Sequence, residues 1–253
     1  NHLATLLALG LVSLLRLHEL RGSPRPFTVA GALLMLFALA LTQSRTGWLF
    51  VLALLTFRLA LHTRVAWRVQ RWQIALGALF FLAVVVSYRP MLEALMLGAQ
   101  LKGDRLQAGT RWQHYEVMWD AITRAPWFGY GWGQATAAQQ AAALSHPPTH
   151  EWLLNSHNIV LDLMVWNGLP LGLLVSVALV VWFVRRLRAC RLGSDAMLLL
   201  GVVAIGIHAL LEFPLDYLYF VVPLGLLMGI LDGLGREGAR VRAIGKAPFA
   251  ATL

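Results

Sequence analysis

The sequence predicts an all-α fold: a polytopic transmembrane helix bundle of about seven spans, with one large loop outside the membrane. Three observations support this prediction. Hydrophobic residues make up 58% of the 253 residues and charged residues only 13%, whereas soluble domains are roughly 45–50% apolar and about 25% charged. Seven apolar segments follow one another along the chain. The basic residues are also divided unevenly between alternate ends of those segments.

The apolar segments are mostly close to the length of about 20 residues that a helix needs to cross a hydrocarbon core of roughly 30 Å. Buried helices of a soluble protein would account for one or two such segments, but not for seven. The segments cover residues 3–17, 27–43, 47–61, 72–88, 157–184, 195–212 and 216–233. They divide the chain into four parts: helices at 1–88, an outer loop at 89–156, helices at 157–233 and a basic tail at 234–253.

The distribution of lysine and arginine predicts the orientation. A single alternating topology places 15 of the 21 basic residues on one side, which the positive-inside rule makes cytoplasmic. The C-terminus then lies inside, and the loop 89–156 lies outside. Because the chain begins with Asn1 and enters an apolar segment at once, we also expect it to be part of a longer protein with further N-terminal helices.

Two features interrupt the simple pattern of spans. In the outer loop, Thr110 and Gln113 form a capping box for an amphipathic helix that ends at Pro126 and carries apolar residues at helical spacing: Trp112, Tyr115, Trp119 and Ile122. We expect this helix to lie along the membrane surface or to pack on the ends of the spans. The fifth span is interrupted at residues 168–170, Gly-Leu-Pro, which predicts either a plain proline kink or a short half-helix before the true span.

The charge and cysteine content exclude several functions. A net charge of +9 would suggest nucleic acid as the partner of a soluble protein, but in a membrane protein it reports arginines retained on the cytoplasmic side. We therefore expect no nucleic-acid partner. Cys190 is the single cysteine, so neither an internal disulfide nor a cysteine-based metal site is possible.

Two arginines on the outer side are candidate anion-binding residues. Arg45 is the lone basic residue of a tight outer turn, where its guanidinium could bind a phosphate through two hydrogen bonds. Arg111 begins the helix of the outer loop, and a helix N-terminus is a natural anion site. The alternatives are an interfacial arginine that binds lipid headgroups for Arg45 and a solvated charge for Arg111.

Ionisable groups at the outer mouth of the spans are the second set of candidates. His157, followed by Asn158, opens the fifth span, and its imidazole could act as a general base. Asp162 could orient this ring or bind an acceptor. His208 and Glu212 are four residues apart on one helix face, so they could pair with each other or face a central cavity. A purely structural role is the alternative for each of them.

A metal site is not predicted. His146, His150 and His157 cluster before the fifth span, and His150-Glu151 resembles the start of a zinc-protease motif. The second histidine of that motif would stand at position 154, which is Leu154. The spacing therefore fails.

Several motifs resemble those of the O-antigen ligase superfamily. His157-Asn158, followed after nine residues by Gly168, resembles its signature, in which the same spacing leads to Gly-x-x-Gly; the second glycine stands one position late, at Gly172. Residues 44–48 resemble its arginine turn, and residues 111–134 resemble its loop motif. Residues 1–7 and 208–223 resemble segments of one branch, the bacterial O-oligosaccharyltransferases, so we favour that branch.

The resemblance implies a metal-independent, cofactor-free enzyme of the bacterial inner membrane with a periplasmic active site. Such an enzyme moves a glycan from undecaprenyl pyrophosphate to serine or threonine hydroxyls of periplasmic proteins such as pilins. Its partners are this lipid-linked donor, the acceptor protein and membrane lipid. His157 would take the acceptor proton, and Arg45, supported by Arg111, would bind the pyrophosphate. The substrate-binding positions would be Asn158, Asp162, His208 and Glu212.

Four alternatives remain open at this point, and one of them is a non-catalytic membrane scaffold. An O-antigen ligase would use lipid A core as acceptor, and an O-antigen polymerase would extend the glycan itself. A transporter of lipid-linked glycans belongs to a different class. Transporters usually show internal repeats and charges near the bilayer midplane, whereas the polar residues of this chain gather at the outer ends of its segments.

Overall fold

The computed structural model describes residues 1–21, 26–94, 107–148 and 150–234. Within these ranges the fold is all-α, as predicted, and strand-like pairing is limited to one bridge between Ala66 and Leu192. The helices are α1 (His2–Arg21), α2 (Pro26–Leu41), α3 (Arg45–Ala60), α4 (Arg71–Ala94), α5 (Gln107–Arg124), α6 (Ala135–Ala142), α7 (Ile159–Ala189), α8 (Gly193–Leu211) and α9 (Leu218–Leu234). The predicted basic tail lies outside the described residues, apart from its first position.

Each of the seven predicted apolar segments is a helix, namely α1 to α4 and α7 to α9. Among the described helices, α1, α4, α7 and α8 are long and apolar enough to cross a membrane, and α2 and α9 are apolar but shorter. The chain is therefore a membrane protein with several apolar helices. That all seven helices span the bilayer stays a prediction.

Helix α8 lies at the centre of the bundle. It packs against α1, α3 and α9, and 61% of its most apolar stretch is buried, compared with 11% for α4 and α7. Small residues at the contact, including Ala4, Ala8 and Ala204, are almost fully buried. Such residues let helix backbones approach closely, which matters in lipid because apolar burial alone does not drive helices together. Helices α4 and α7 are peripheral and expose apolar faces.

Helix α7 consists of two helices that meet at Gly168, whose backbone (φ 76°, ψ 171°) is not helical. The break frees backbone groups, and the glycine-rich segment after α5 binds them: Tyr130 N donates to Val165 O (2.8 Å), Gly131 N to Trp166 O (3.0 Å), and Leu169 N to Pro126 O (2.7 Å). This arrangement satisfies the requirement that backbone polar groups be paired. The half-helix interpretation of the interruption is thus confirmed over the plain proline kink.

The two halves of α7 lie close together on either side of the break. A Cβ atom at Gly172 would stand 2.7 Å from Met164 Cα, so this position admits only glycine. Gly172, the second glycine of the sequence signature, therefore allows a close backbone contact, although it stands one position late. Pro170 lies in the first turn of the second half, where its missing N–H leaves no helical hydrogen bond unmade.

The amphipathic helix predicted in the outer loop is α5, and it begins at Gln107, before the predicted cap at Thr110. Its buried face consists of His114, Val117, Met118, Ala121 and Ile122, which contact α6 and the first half of α7. Of the apolar positions that predicted the helix, Ile122 is buried, whereas Trp112 and Trp119 are exposed. The smaller side chains therefore form the packing face, and the tryptophans lie on the opposite face.

The helix ends gather into two groups at opposite ends of the bundle. At one end, Glu19 of α1 accepts hydrogen bonds from the backbone N–H groups of Arg68 (2.9 Å) and Val69 (2.8 Å), and Ala66 N donates to Arg191 O (2.8 Å). At the other end lie Asn1, the start of α3 and Glu212. The site described next lies at the second end.

Candidate functional site

Glu212 is the centre of the polar cluster at this end of the bundle. It caps the C-terminus of α8, which ends because Pro214 follows two residues later. Its Oε2 lies 2.9 Å from His157 Nδ1, and its Oε1 accepts hydrogen bonds from Arg111 Nη2 and from Asn1 Nδ2 (3.0 Å). Three elements that are remote in the chain, α1, α5 and the start of α7, therefore converge on one carboxylate.

The carboxylate of Glu212 stays ionised in this environment. Its side chain is 16% exposed, and burial alone would raise its pKa. The hydrogen bonds from His157 and Arg111, together with the positive charge of Arg111, outweigh burial and lower the pKa to about 2. An ionised carboxylate can only accept hydrogen bonds, so Nδ1 of His157 must carry the hydrogen in this pair.

His157 is held in an unusual backbone conformation beside Glu212. Its φ of 60° lies in the left-handed region, which is uncommon for residues other than glycine and is typical of functional sites. Its ring is stacked on that of His114, with ring centroids 6.2 Å apart, and it lies edge-to-face with the ring of Phe213, with centroids 5.2 Å apart. The described residues hydrogen-bond only Nδ1, so Nε2 is the ring nitrogen that remains to accept a proton.

Asn158 and Asp162 fix the backbone around His157. Asn158 Oδ1 caps α7 by accepting from Val160 N (3.0 Å) and Leu161 N (3.4 Å), and its amide donates to Leu210 O (3.2 Å). Asp162 is buried and accepts from Ser156 N at 2.7 Å. Asp162 therefore does not orient the His157 ring directly, because the carboxylate bonded to that ring is that of Glu212; the alternative, that Asp162 binds an acceptor, stays a prediction.

His208 does not pair with Glu212, although the two lie four residues apart. Helix α8 ends between them, so their side chains separate: His208 is fully buried and its Nδ1 lies 2.9 Å from Thr5 Oγ1, while Glu212 turns towards His157. The ring of His208 also packs against Phe220. The prediction of a polar pair is wrong, and His208 contacts α1 instead.

The two predicted anion-binding arginines have different surroundings. Arg111 lies one turn inside α5, because the helix begins at Gln107, and its guanidinium binds Glu212. The helix therefore does not start at Arg111, as the sequence predicted, and a role of Arg111 in anion binding stays a prediction. Arg45 begins α3 and is exposed, and among the described residues no carboxylate pairs with it.

Asn1 connects the turn of Arg45 to Glu212. Its Oδ1 accepts hydrogen bonds from Ser44 Oγ and from Thr46 Oγ1 (3.1 Å), and its Nδ2 donates to Glu212. Ser44 is the N-cap of α3 and Thr46 lies in the first turn. The structure thus brings Arg45 and His157 to the same end of the bundle, joined through one amide and one carboxylate.

Sequence reasoning missed three contributors to this cluster. Asn1 was noted only as part of a motif, although a polar residue directly before an apolar span is a usable signal. Phe213 falls only within the motif of residues 208–223. His114 lies on the buried face of α5, is 2% exposed and has its pKa lowered by burial. A histidine at this spacing from Val117 and Met118 looks like an ordinary helix position.

The histidines considered for a metal site lie in different places. His146 Nε2 lies 3.1 Å from Asp120 Oδ2, within an ion pair between Asp120 and Arg124 at the end of α5. His157 contacts Glu212. In the described ranges, no group of three or more histidine, cysteine, aspartate or glutamate side chains is arranged to hold a metal ion.

Comparison with known proteins identifies the family. A family model described as O-antigen ligase matches residues 30–176, which is more than half of the chain and includes Arg45, Arg111 and His157. The chain belongs to the O-antigen ligase family. A second model, for the C-terminal part of a virulence factor membrane-bound polymerase, matches residues 196–252. This membership confirms the resemblance seen in the sequence motifs.

Two curated relatives from Acinetobacter baylyi are similar over most of the chain. One is named general O-oligosaccharyltransferase, with 34% identity over 240 residues that cover 92% of this chain and 42% of the relative. The other is named ComP-specific O-oligosaccharyltransferase, with 32% identity over 206 residues that cover 78% of this chain and 36% of the relative. The chain of this O-antigen ligase family member therefore spans less than half the length of either relative.

Proposed function

We propose that this chain forms the catalytic part of an O-oligosaccharyltransferase, which moves a glycan from undecaprenyl pyrophosphate to serine or threonine hydroxyls of periplasmic proteins. The observation that carries the proposal is the hydrogen bond between His157 and the ionised Glu212, at the same end of the bundle as the exposed Arg45. The two similar oligosaccharyltransferases support this branch of the family.

In the proposed mechanism, His157 acts as general base. Glu212 holds the Nδ1–H tautomer, so the lone pair of Nε2 takes the proton of the acceptor hydroxyl. The hydroxyl oxygen then forms the bond to the anomeric carbon, while the bond from that carbon to the pyrophosphate oxygen breaks. Undecaprenyl pyrophosphate leaves with the electron pair, and single displacement inverts the anomeric configuration.

Arg45 binds the leaving pyrophosphate in this proposal. A guanidinium that already pairs with a carboxylate has less charge to offer a phosphate, and this is the case for Arg111. Arg45 is exposed, and the described part of the chain gives it no acidic partner. Its charge would stabilise the negative charge that develops on the pyrophosphate as the bond breaks. No step of the mechanism requires a metal.

The remaining predicted positions have supporting roles. Arg111 keeps Glu212 ionised, and Asn158 and Asp162 fix the loop that carries His157. His208 ties α8 to α1, and through them it places Glu212 near Asn1. The membrane lipid solvates the bundle, and the isoprenoid tail of the donor requires that the reaction take place at its surface.

The test measures glycosylation of the acceptor protein in cells that carry the full-length gene at its normal expression level. We expect His157→Ala to lower transfer by about 10²–10⁴-fold, the usual contribution of a general base. Arg45→Ala should also abolish most transfer. His62→Ala and Arg64→Ala are matched controls, because both side chains are exposed just beyond the opposite end of α3. Near-wild-type transfer by both site variants would rule out the proposed roles.

An O-antigen ligase is the second candidate, because the family model that matches carries that description. The donor chemistry at His157 and Arg45 would be the same, and only the acceptor would differ. Mass spectrometry of periplasmic proteins and of lipopolysaccharide, with and without the full-length gene, separates the two. Loss of glycan from proteins alone supports the oligosaccharyltransferase, and loss from lipopolysaccharide alone supports the ligase.

A further inference from the structure

Three large aromatic side chains project from the segment that follows α5. Trp127 is 72% exposed, Phe128 is 88% exposed and Trp132 is 71% exposed. Exposed aromatic groups of this size are unfavourable in water. Tryptophan is enriched where membranes meet water, because its ring is apolar and its indole N–H is polar.

The backbone of this segment is fixed to the break in α7. Leu169 N donates to Pro126 O (2.7 Å), and the backbone of Trp127 approaches Gly168 so closely that a Cβ atom there would clash with it. Tyr130 and Gly131 donate to the last carbonyls before the break. Trp127 and Phe128 therefore lie at the same depth as Gly168.

The length of the second half of α7 sets this depth. Sixteen residues separate the break from Arg185, the first charged residue after it, and they extend about 24 Å at 1.5 Å per residue. The hydrocarbon core is about 30 Å thick. If Arg185 marks the inner boundary, Gly168 lies inside the outer boundary. If instead the arginine side chains reach back to the interface, the helix spans the core up to Ala189. Gly168 then lies about 31 Å from the inner boundary, which is level with the outer boundary.

The exposed face of α7 continues this surface. Leu171, Leu173, Leu174 and Val177 are all exposed on the first turns after the break. In a helix apolar enough to span a membrane, such a face contacts lipid. The aromatic segment therefore adjoins a lipid-facing surface at the level where that surface reaches the outer boundary.

We infer that Trp127, Phe128 and Trp132 form a lipid anchor that inserts into the outer boundary of the bilayer. The anchor holds the segment between α5 and α6 on the membrane at the level of the α7 break. Because α5 carries Arg111 and contacts the first half of α7, the anchor also sets the height of the His157–Glu212 cluster above the hydrocarbon core. The occupant of this surface is the lipid bilayer.

The test places a polarity-sensitive NBD fluorophore on Phe128→Cys in the full-length protein, with its other cysteines replaced, in nanodiscs of phosphatidylethanolamine and phosphatidylglycerol. Gln140→Cys is the matched control, because Gln140 is a polar, exposed residue of α6. We expect blue-shifted emission at position 128, and stronger quenching by a nitroxide near the top of the lipid acyl chain than by iodide in the water. Position 140 should show the reverse.

Two results would overturn the inference. Equal iodide quenching at positions 128 and 140 would place the aromatic segment in water. Protection of position 128 from both iodide and the lipid nitroxide would show that another part of the protein covers it. Phe128 is almost fully exposed, so its replacement leaves the packed core intact, and a monodisperse elution profile checks the fold. None of these readouts depends on glycan transfer.

Discussion

At the scale of single residues, Glu212 decides the chemistry of the cluster. Its carboxylate is the acceptor that fixes the tautomer of His157, and it also neutralises Arg111. The sequence predicted both His157 and Glu212 as site residues, but one of the two arrangements it allowed for Glu212 was a pair with His208. The spacing argument failed because it assumed a continuous helix, whereas α8 ends at Leu211 and the carboxylate turns away from the helix axis.

Replacing Glu212 by glutamine tests this assignment. The side-chain amide of Glu212→Gln could still hydrogen-bond His157, but without a negative charge it would no longer enforce the Nδ1–H tautomer. We therefore expect a clear fall in transfer, because a neutral amide no longer holds the histidine in the tautomer that can accept the proton. Transfer is measured by glycosylation of the acceptor in cells. Wild-type transfer by Glu212→Gln would show that the carboxylate does not orient the base.

Glu212→Gln should also change how the stability of the fold depends on acidic pH. Because the folded pKa of Glu212 (about 2) lies below its ordinary value of 4.5, its pairing stabilises the fold fully above pH 4.5, and this stabilisation is lost as the pH falls towards 2. We expect the Tm of the wild-type protein in detergent to fall more steeply over this range than that of Glu212→Gln. Parallel curves for the two proteins would contradict the assignment.

Asn1 gives a third prediction at this scale. Asn1→Ala removes the donor to Glu212 and the acceptor for Ser44 and Thr46, so the start of α3 loses its connection to the cluster. We expect reduced transfer at normal expression. Ser13→Ala is the control, because Ser13 is exposed on the same helix and its hydroxyl donates only to Leu9 O. Equal transfer by the two variants would show that the connection has no functional role.

At the scale of secondary-structure elements, the break in α7 and the glycine-rich segment after α5 form one unit. The sequence pointed to the interruption at residues 168–170 and to the loop motif at residues 111–134 as separate features. It could not predict that they bind each other, because the hydrogen bonds join residues 35 or more positions apart. Periodicity also could not decide which face of α5 packs against the protein, because the helix carries two apolar faces, and the face with the tryptophans is the exposed one.

Gly168→Ala tests this unit. The backbone of Gly168 (φ 76°, ψ 171°) lies in a region that is essentially restricted to glycine, so a residue with a Cβ atom is strained there by about 1–3 kcal/mol. The added methyl group would also clash with the carbonyl oxygen of Trp127. We expect a clear drop in the Tm of the detergent-solubilised protein. Gly206→Ala is the control, because Gly206 lies in α8 with nothing within 4 Å of the added Cβ, and its Tm should stay equal or rise. A Tm for Gly168→Ala equal to wild type would mean that the break is not rigid.

At the scale of the whole molecule, the helix ends gather into two groups at opposite ends of the bundle. Loops 61–70 and 190–193 meet at the end that carries Glu19, and the start of α3 meets Glu212 at the other end. The basic residues are concentrated at the first end. The positive-inside rule therefore predicts that the His157–Glu212 cluster lies on the side away from the cytoplasm.

Cysteine accessibility tests this orientation. A cysteine at Gln43, in the turn before α3, should react with a membrane-impermeant maleimide that has access only to the periplasm. A cysteine at Arg64, in the loop after α3, should react only after the inner membrane is opened. Both positions are exposed, and the native Cys190 is buried, so background labelling is low. The opposite pattern would invert the topology.

The sequence by itself determined the membrane class, the seven apolar helices, the break at Gly168 and the residue types of the site. These features follow from local composition, spacing and the short-range demands of glycine and proline. Only the tertiary structure decided which side chains pair: Glu212 with His157 and Arg111, Asn1 with the start of α3, and the glycine-rich segment with α7. Pairing depends on where helices end and cross, because a single residue at a helix terminus redirects a side chain by a large angle. Local spacing carries no information about that direction.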